Sequence, residues 1–243
     1  MVSLTVRVAR RLLFLAQASR NTPIYAQRGI KRAAGALAFE FFRSLELRSL
    51  IHDAYLVKGT GVNYANIKYR DIADGEGVRT TLFVSGCSHH CKNCFQPETW
   101  SFSYGQEFTP EVAREVLATL DDFFVDGLTF LGGEPMEPEN QRGLLELARA
   151  AKTAHPEKTI WCYTGDVYEE LVDPDSPRRT EATDELLSFI DVLIDGPYIE
   201  EQHDITLRFC GSANQRVIDL NKTRESGEVV LWKDDPIYST HSM

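Results

Sequence analysis

The chain has 243 residues, 43% of them apolar and 26% charged, and a formal net charge of −10 at pH 7. That length holds one ordinary globular domain plus an appendage and excludes a large multidomain assembly. The acidic balance, with no basic stripe and no aromatics interleaved with Lys and Arg, excludes an electrostatic footprint for nucleic acid, and no run reaches the roughly 20 apolar residues that span a bilayer.

The charge is unevenly placed. Residues 1–61 carry ten Lys/Arg against three acids, a surplus of +7, whereas 62–243 carry sixteen against thirty-three, or −17. Residues 1–39 contain Arg7, Arg10, Arg11, Arg20, Arg28, Lys31 and Arg32 and no acid. This superficially resembles an organelle transit peptide, and it lacks the long apolar stretch and small-residue cleavage site of a secretory signal. A simpler expectation is that translation begins at Val62, where organised patterning starts. Valine is how a GTG codon reads when it is not taken as a start, and Lys58-Gly59 can be encoded by a purine-rich ribosome-binding sequence. Residues 1–61 are therefore expected to be an extension or upstream sequence, 62–243 the functional domain, and the protein cytosolic. Five cysteines is an odd number, and three of them fall between positions 87 and 94. That suits metal ligation in a reducing compartment better than a disulfide framework. Cys162 and Cys210 stand alone and read as small buried residues.

Along the domain, residues 79–84 are rich in β-branched and aromatic residues and stop at Ser85-Gly86, which predicts a strand. The three cysteines follow directly. Thr109-Pro110-Glu111 offers an N-cap, a proline at the first helical position and an early acid, and Val112, Val116, Leu117 and Leu120 then recur at helical spacing. The pattern repeats: strand 128–131 ends in Gly132-Gly133-Glu134-Pro135, and a helix through Leu144, Leu145, Leu147 and Ala148 runs on to His155-Pro156. Strand 159–163 ends in Thr164-Gly165 before a short helix near 167–172. A further helix at about 183–189 leads to strand 191–194, which ends in Asp195-Gly196-Pro197.

Such alternation predicts an α/β fold with a mostly parallel sheet and helical crossovers, and functional loops on such sheets gather at the carboxyl ends of the strands. The cysteine loop and the three glycine turns all occupy that end. About 180 residues suffice for a partial (βα) barrel rather than eight βα units.

Cys87, Cys91 and Cys94 form C-x3-C-x2-C, which lets three thiolates face one point from a single loop. Three thiolates fill three irons of a [4Fe-4S] cluster and leave one iron open for a ligand. A structural zinc site completed by His89 or His90 is the alternative. Two adjacent histidines inside so short a loop are poorly placed to close that tetrahedron, and both read as polar loop residues.

The cysteine spacing followed by Phe95, with Gly132-Gly133-Glu134-Pro135 after the next strand, resembles the radical S-adenosylmethionine (SAM) enzymes. The resemblance implies that the methionine part of SAM chelates the open iron and that the glycine turn receives its amino group. It places Asn93, Cys94 and Phe95 beside SAM and Gly133 at the amino group, with Glu134, Thr164 and Asp195 as further polar contacts. Phe95 reads equally well as a packing aromatic, and the last three as turn or cap residues.

A closer resemblance, from Tyr64 to Leu220, is to the activating proteins of anaerobic ribonucleoside-triphosphate reductases. It rests on the segments 74–79, 87–100, 161–165, 191–197 and 207–216. It implies that a flavodoxin- or ferredoxin-type donor reduces the cluster, that SAM is cleaved to methionine and a 5′-deoxyadenosyl radical, and that this radical takes a Cα hydrogen from a glycine of the reductase large subunit. No acid–base pair is expected. Arg208 and Asn214-Gln215-Arg216 read as surface and strand-edge polarity, or through the resemblance as part of the surface admitting the glycine loop. Thr80 stands where a cysteine sometimes occurs in the family, and Phe95 replaces a commoner tyrosine. Activators of other glycyl radical enzymes, such as pyruvate formate-lyase, look longer after the cysteine loop than the roughly 150 residues here. Outside these enzymes, the rival is a non-catalytic zinc or electron-transfer module.

Overall fold

A computed structural model describes residues 61–232. The N-terminal extension expected over residues 1–61 lies, but for Gly61, outside the described residues. The strands are β1 (Asn63–Asp71), β2 (Arg79–Val84), β3 (Gln106–Glu107), β4 (Gly127–Gly132), β5 (Thr159–Tyr163), β6 (Val192–Asp195) and β7 (Arg216–Asp219). They form a single seven-stranded sheet in the order β3-β1-β2-β4-β5-β6-β7. The helices are α1 (Pro110–Ala118), α2 (Pro138–Ala154), α3 (Tyr168–Val172), α4 (Thr183–Phe189) and α5 (Leu220–Ser226). Among the described residues no helix is long and apolar enough to cross a membrane.

The predicted alternation is present, with β2, β4, β5 and β6 all parallel. The expectation of a mostly parallel sheet holds for this centre, while β1, β3 and β7 pair antiparallel at the flanks. For β1 and β2 this follows from chain geometry: the connection, residues 72–78, is shorter than the dozen or so residues that a parallel crossover needs.

Register explains which side chains make the core. Leu82, Phe130, Cys162, Leu193 and Ile218 lie in one row across five strands, and all are buried. This row is on the helical face: Thr80, two residues before Leu82 and so on the same side of the strand, hydrogen-bonds Thr119 just beyond α1. Cys162 is thus a core residue, as its isolation in the sequence suggested. The alternate row, Thr81, Thr129, Trp161 and Val192, faces the other way. There Trp161 packs edge-on against Phe209 and Trp232, and Val192 and Ile194 complete an apolar cluster.

Helix α1 begins as its sequence dictates. Thr109 is extended, its hydroxyl accepts from the Val112 N–H, and Pro110 takes a first-turn position that needs no donor. Thr109→Ala is expected to lower the unfolding free energy by about 1 kcal/mol without altering the fold, as read from urea denaturation midpoints.

Candidate metal and cofactor site

The cysteine loop leaves β2 at Val84 and is fixed at both ends by backbone hydrogen bonds. Gly86 N–H donates to the Thr99 carbonyl (2.8 Å), Cys87 N–H to Trp100 (3.2 Å), and Cys94 N–H to Cys91 (3.1 Å). Within it His90 and Asn93 hold φ of 49° and 58°. Residues with side chains rarely adopt this left-handed conformation, and here it winds the chain tightly between the three cysteines. All three thiols are free, Cys87 buried and Cys91 and Cys94 partly so. Burial pushes the Cys87 thiol up to about 12 and raises that of Cys91, so both are protonated at neutral pH and metal binding would release their protons.

The glycine turn lies directly against the base of this loop. Gly133 N–H donates to the Val84 carbonyl (2.7 Å) and Glu134 N–H to Gly86 (2.8 Å). A Cβ at Gly133 would come within 2.6 Å of the Gly86 carbonyl oxygen and 2.9 Å of that of Thr99, so a bare backbone is required there. The ends of the next strands adjoin: Thr164 N–H donates to Ile194, and Gly196 N–H to the Asp166 carbonyl. The strand-end loops therefore meet, as the sequence predicted. Three thiols on one pre-wound loop, beside a turn whose backbone is kept free of side chains, form a donor set that suits a [4Fe-4S] cluster and a ligand on its open iron.

The sequence-predicted polar residues Glu134, Thr164 and Asp195 sit at these strand ends, and each accepts from backbone N–H groups there, as the turn or cap reading has it. Glu134 is buried: its Oε1 accepts from Met136 N–H (2.7 Å), and its Oε2 from Gly165 N–H (2.7 Å) and lies 3.0 Å from His89 Nε2. Its carboxylate ties the glycine turn, the Thr164-Gly165 turn and the cysteine loop together. Thr164 Oγ1 accepts from Asp166 N–H. Asp195 accepts from Tyr168 N–H (2.8 Å) and pairs with Arg216. Phe95 is 94% exposed, which removes the core-packing reading. Lys92 pairs with Glu201, so the segment after β6 meets the tip of the cysteine loop.

His89, read from sequence as a polar loop residue, is instead half-buried among Glu134, Asp166 and Arg178. Arg216, read as strand-edge polarity, bridges Asp195 and Glu169. No spacing motif marks Asp166, Arg178 or Glu137, because each finds its partner across the fold. The donor atoms of His89, Glu134 and Asp166 lie within 4.8 Å of one another, a separation that would suit a metal ion, but the Arg178 guanidinium already supplies the cation there, 3.0 Å from Asp166.

A protein-family model described as a 4Fe-4S single cluster domain matches residues 73–218. Among curated proteins, the anaerobic ribonucleoside-triphosphate reductase-activating protein of Vibrio cholerae serotype O1 is 42% identical over 156 residues, 63% of this chain and 96% of that protein. The protein of the same name from Enterobacteria phage T4 is 35% identical over 156 residues, 64% and 93% of the two chains. That of Escherichia coli (strain K12) is 34% identical over 161 residues, 65% and 99%.

Proposed function

Because the chain belongs to the family of anaerobic ribonucleoside-triphosphate reductase-activating proteins, we propose that it is a radical SAM enzyme that installs a glycyl radical on the large subunit of that reductase. The observation that carries the reading is the free three-cysteine loop seated against the side-chain-free Gly133 turn. Cys87, Cys91 and Cys94 hold the [4Fe-4S] cluster. Gly133 offers backbone to the amino group of SAM, Asn93 and Phe95 flank it, and Glu134, Thr164 and Asp195 shape its pocket. The consecutive parallel pairings β2-β4-β5-β6, linked by helices, are the units from which a partial (βα) barrel of the radical SAM type is built, within a domain spanning 62–243.

Held by Cys87, Cys91 and Cys94 and reduced by a flavodoxin- or ferredoxin-type donor, the cluster would supply the one-electron reductive cleavage of SAM that activates a glycine of the reductase. The protein's own work is to bind, orient and shield these groups. Glu134 keeps the glycine turn at a fixed distance from the cysteine loop. Phe95 presents an exposed ring that SAM can cover, and burying it would exclude water from the ligand. Cys87 is buried while Cys91 and Cys94 are partly exposed, so the three thiols that would hold the cluster lie at the border between the interior and solvent.

The test is anaerobic reconstitution with iron and sulfide, reduction, and addition of SAM and the reductase, followed by electron paramagnetic resonance. A glycyl-radical doublet that disappears with Cys91→Ala is the expected result. A well-loaded cluster that leaves SAM intact would overturn the reading.

A further inference from the structure

We propose that Arg178 is a positioning residue that sets the cysteine loop in register with the glycine turn and offsets the negative charge buried behind it. The inference rests on the proposed cluster site and concerns a residue outside every motif of that site.

Arg178 lies between α3 and α4, far in sequence from the cysteines, yet its guanidinium is the meeting point of three strand-end segments. Nη1 pairs with Glu137 at 2.8 Å, Nε with Asp166 at 3.0 Å, and Nη2 lies 3.3 Å from His89 Nε2. Each partner is itself attached to the site. Glu137 Oε1 accepts from Ser88 N–H at 2.7 Å, inside the cysteine loop. His89 contacts Glu134, which accepts from Gly165 N–H. One fork thus spans the cysteine loop, the start of α2 and the turn after β5, a geometry that a planar guanidinium can supply and a point charge cannot.

The arginine is itself held. Its backbone carbonyl accepts from Gln141 Nε2 (2.7 Å), and the buried Gln141 side chain also accepts from the Thr180 and Thr183 hydroxyls. The turn carrying Arg178 is therefore fixed to α2, which sets where the side chain starts from.

Charge balance gives the second argument. Glu134, Glu137 and Asp166 are all buried, and the partners at hand are Arg178 and His89. Asp166 Oδ2 is buried with no hydrogen-bond partner. Without Arg178, three carboxylates would face one another behind the cluster loop, and a buried charge deprived of its partner is strongly unfavourable. The same uncompensated charge beside the cluster would make it harder to reduce, since nearby net charge sets iron–sulfur potentials.

The experiment compares wild type, Arg178→Gln and Arg178→Lys, with Arg149→Gln as a control that removes partly buried ion pairs to Glu146 and Glu185 on helices α2 and α4. Circular dichroism establishes folding, and Arg178→Lys, which keeps the charge and loses the fork, carries the test if Arg178→Gln does not fold. In apo-protein, Cys87 is expected to be alkylated by iodoacetamide on the order of tenfold faster in the Arg178 variant, because the loop opens more often. In reconstituted protein, the cluster is expected to be lost to a chelator on the order of tenfold faster and its midpoint potential to move negative in Arg178→Gln, with Arg149→Gln unchanged in all three. Wild-type alkylation, cluster lifetime and potential in a folded Arg178 variant would overturn the proposal. The apo-protein alkylation keeps the two readings separable: if wild type takes up no cluster, the proposed function falls while the role of Arg178 is still decided by Cys87.

Discussion

Gly133→Ala is expected to leave iron content near wild type and to reduce SAM cleavage on the order of a hundredfold. The added Cβ would meet two backbone carbonyl oxygens, those of Gly86 and Thr99, inside 3 Å, and neither can yield as a flexible side chain would. The turn must therefore move away from the base of the cysteine loop, breaking the 2.7 Å and 2.8 Å hydrogen bonds that Gly133 and Glu134 donate to it. A displacement near 1 Å between a ligand's anchor and its reacting atom can cost a factor of about 10². The cysteines themselves lie on the other segment and keep their spacing. Iron content, followed by chromatographic measurement of 5′-deoxyadenosine after reduction, checks both halves. Wild-type cleavage by the variant would show that SAM does not use this turn.

The second large effect concerns stability. Arg79 opens β2 with 1% exposure. Its guanidinium donates to Thr129 Oγ1, to both Oγ1 and the carbonyl of Thr159, and to the carbonyls of Leu128 and Glu76, and lies over the Trp161 ring at 5.4 Å. Burial lowers its pKa to about 10, with Asp126 the leading influence in the opposite direction, so it stays charged at neutral pH. One side chain thus staples β2, β4 and β5. Arg79→Met fills much of the space but leaves buried acceptors without donors, each worth roughly 1–3 kcal/mol. A total loss of about 4 kcal/mol is expected, with Tm lower on the order of 10 °C, read by calorimetry on the apo-protein. A shift of under about 2 °C would mean that water replaces the guanidinium.

These two residues also show what a sequence displays and what it conceals. Gly133 was legible because its requirement is local: a glycine pair directly after an apolar run and a fixed distance from a cysteine triplet. The parallel strands were legible for a related reason, since burial on both faces makes each a short apolar run closed by a turn, and Thr159–Tyr163 and Arg79–Val84 have the predicted bounds. β1 was hidden because Asn-Tyr-Ala-Asn-Ile-Lys-Tyr-Arg-Asp carries little apolar pattern and becomes a strand through pairing with β2. β7, four residues long, likewise depends on β6. At the site, the cluster cysteines share one loop and were found together. Arg178 reaches partners at positions 89, 137 and 166, and Arg216 reaches 169 and 195. No periodicity connects such positions, and only the closed fold brings them within range.

The antiparallel flanks have a consequence for how other chains can approach. On one side β3 is two residues long and covers only the start of β1. The rest of β1 is broken in register at two points, has Arg70 at a φ of 59°, and carries Lys68, Arg70 and Asp71, features that spoil a strand as a template for a neighbour. On the other side β7 is already engaged by the bridge from Ile218 to Leu231. Among the described residues, neither border of the sheet offers a long, flat ladder for an incoming strand. Recognition by β-augmentation at these strands is thereby disfavoured, and self-association into stacked sheets is opposed by the same construction.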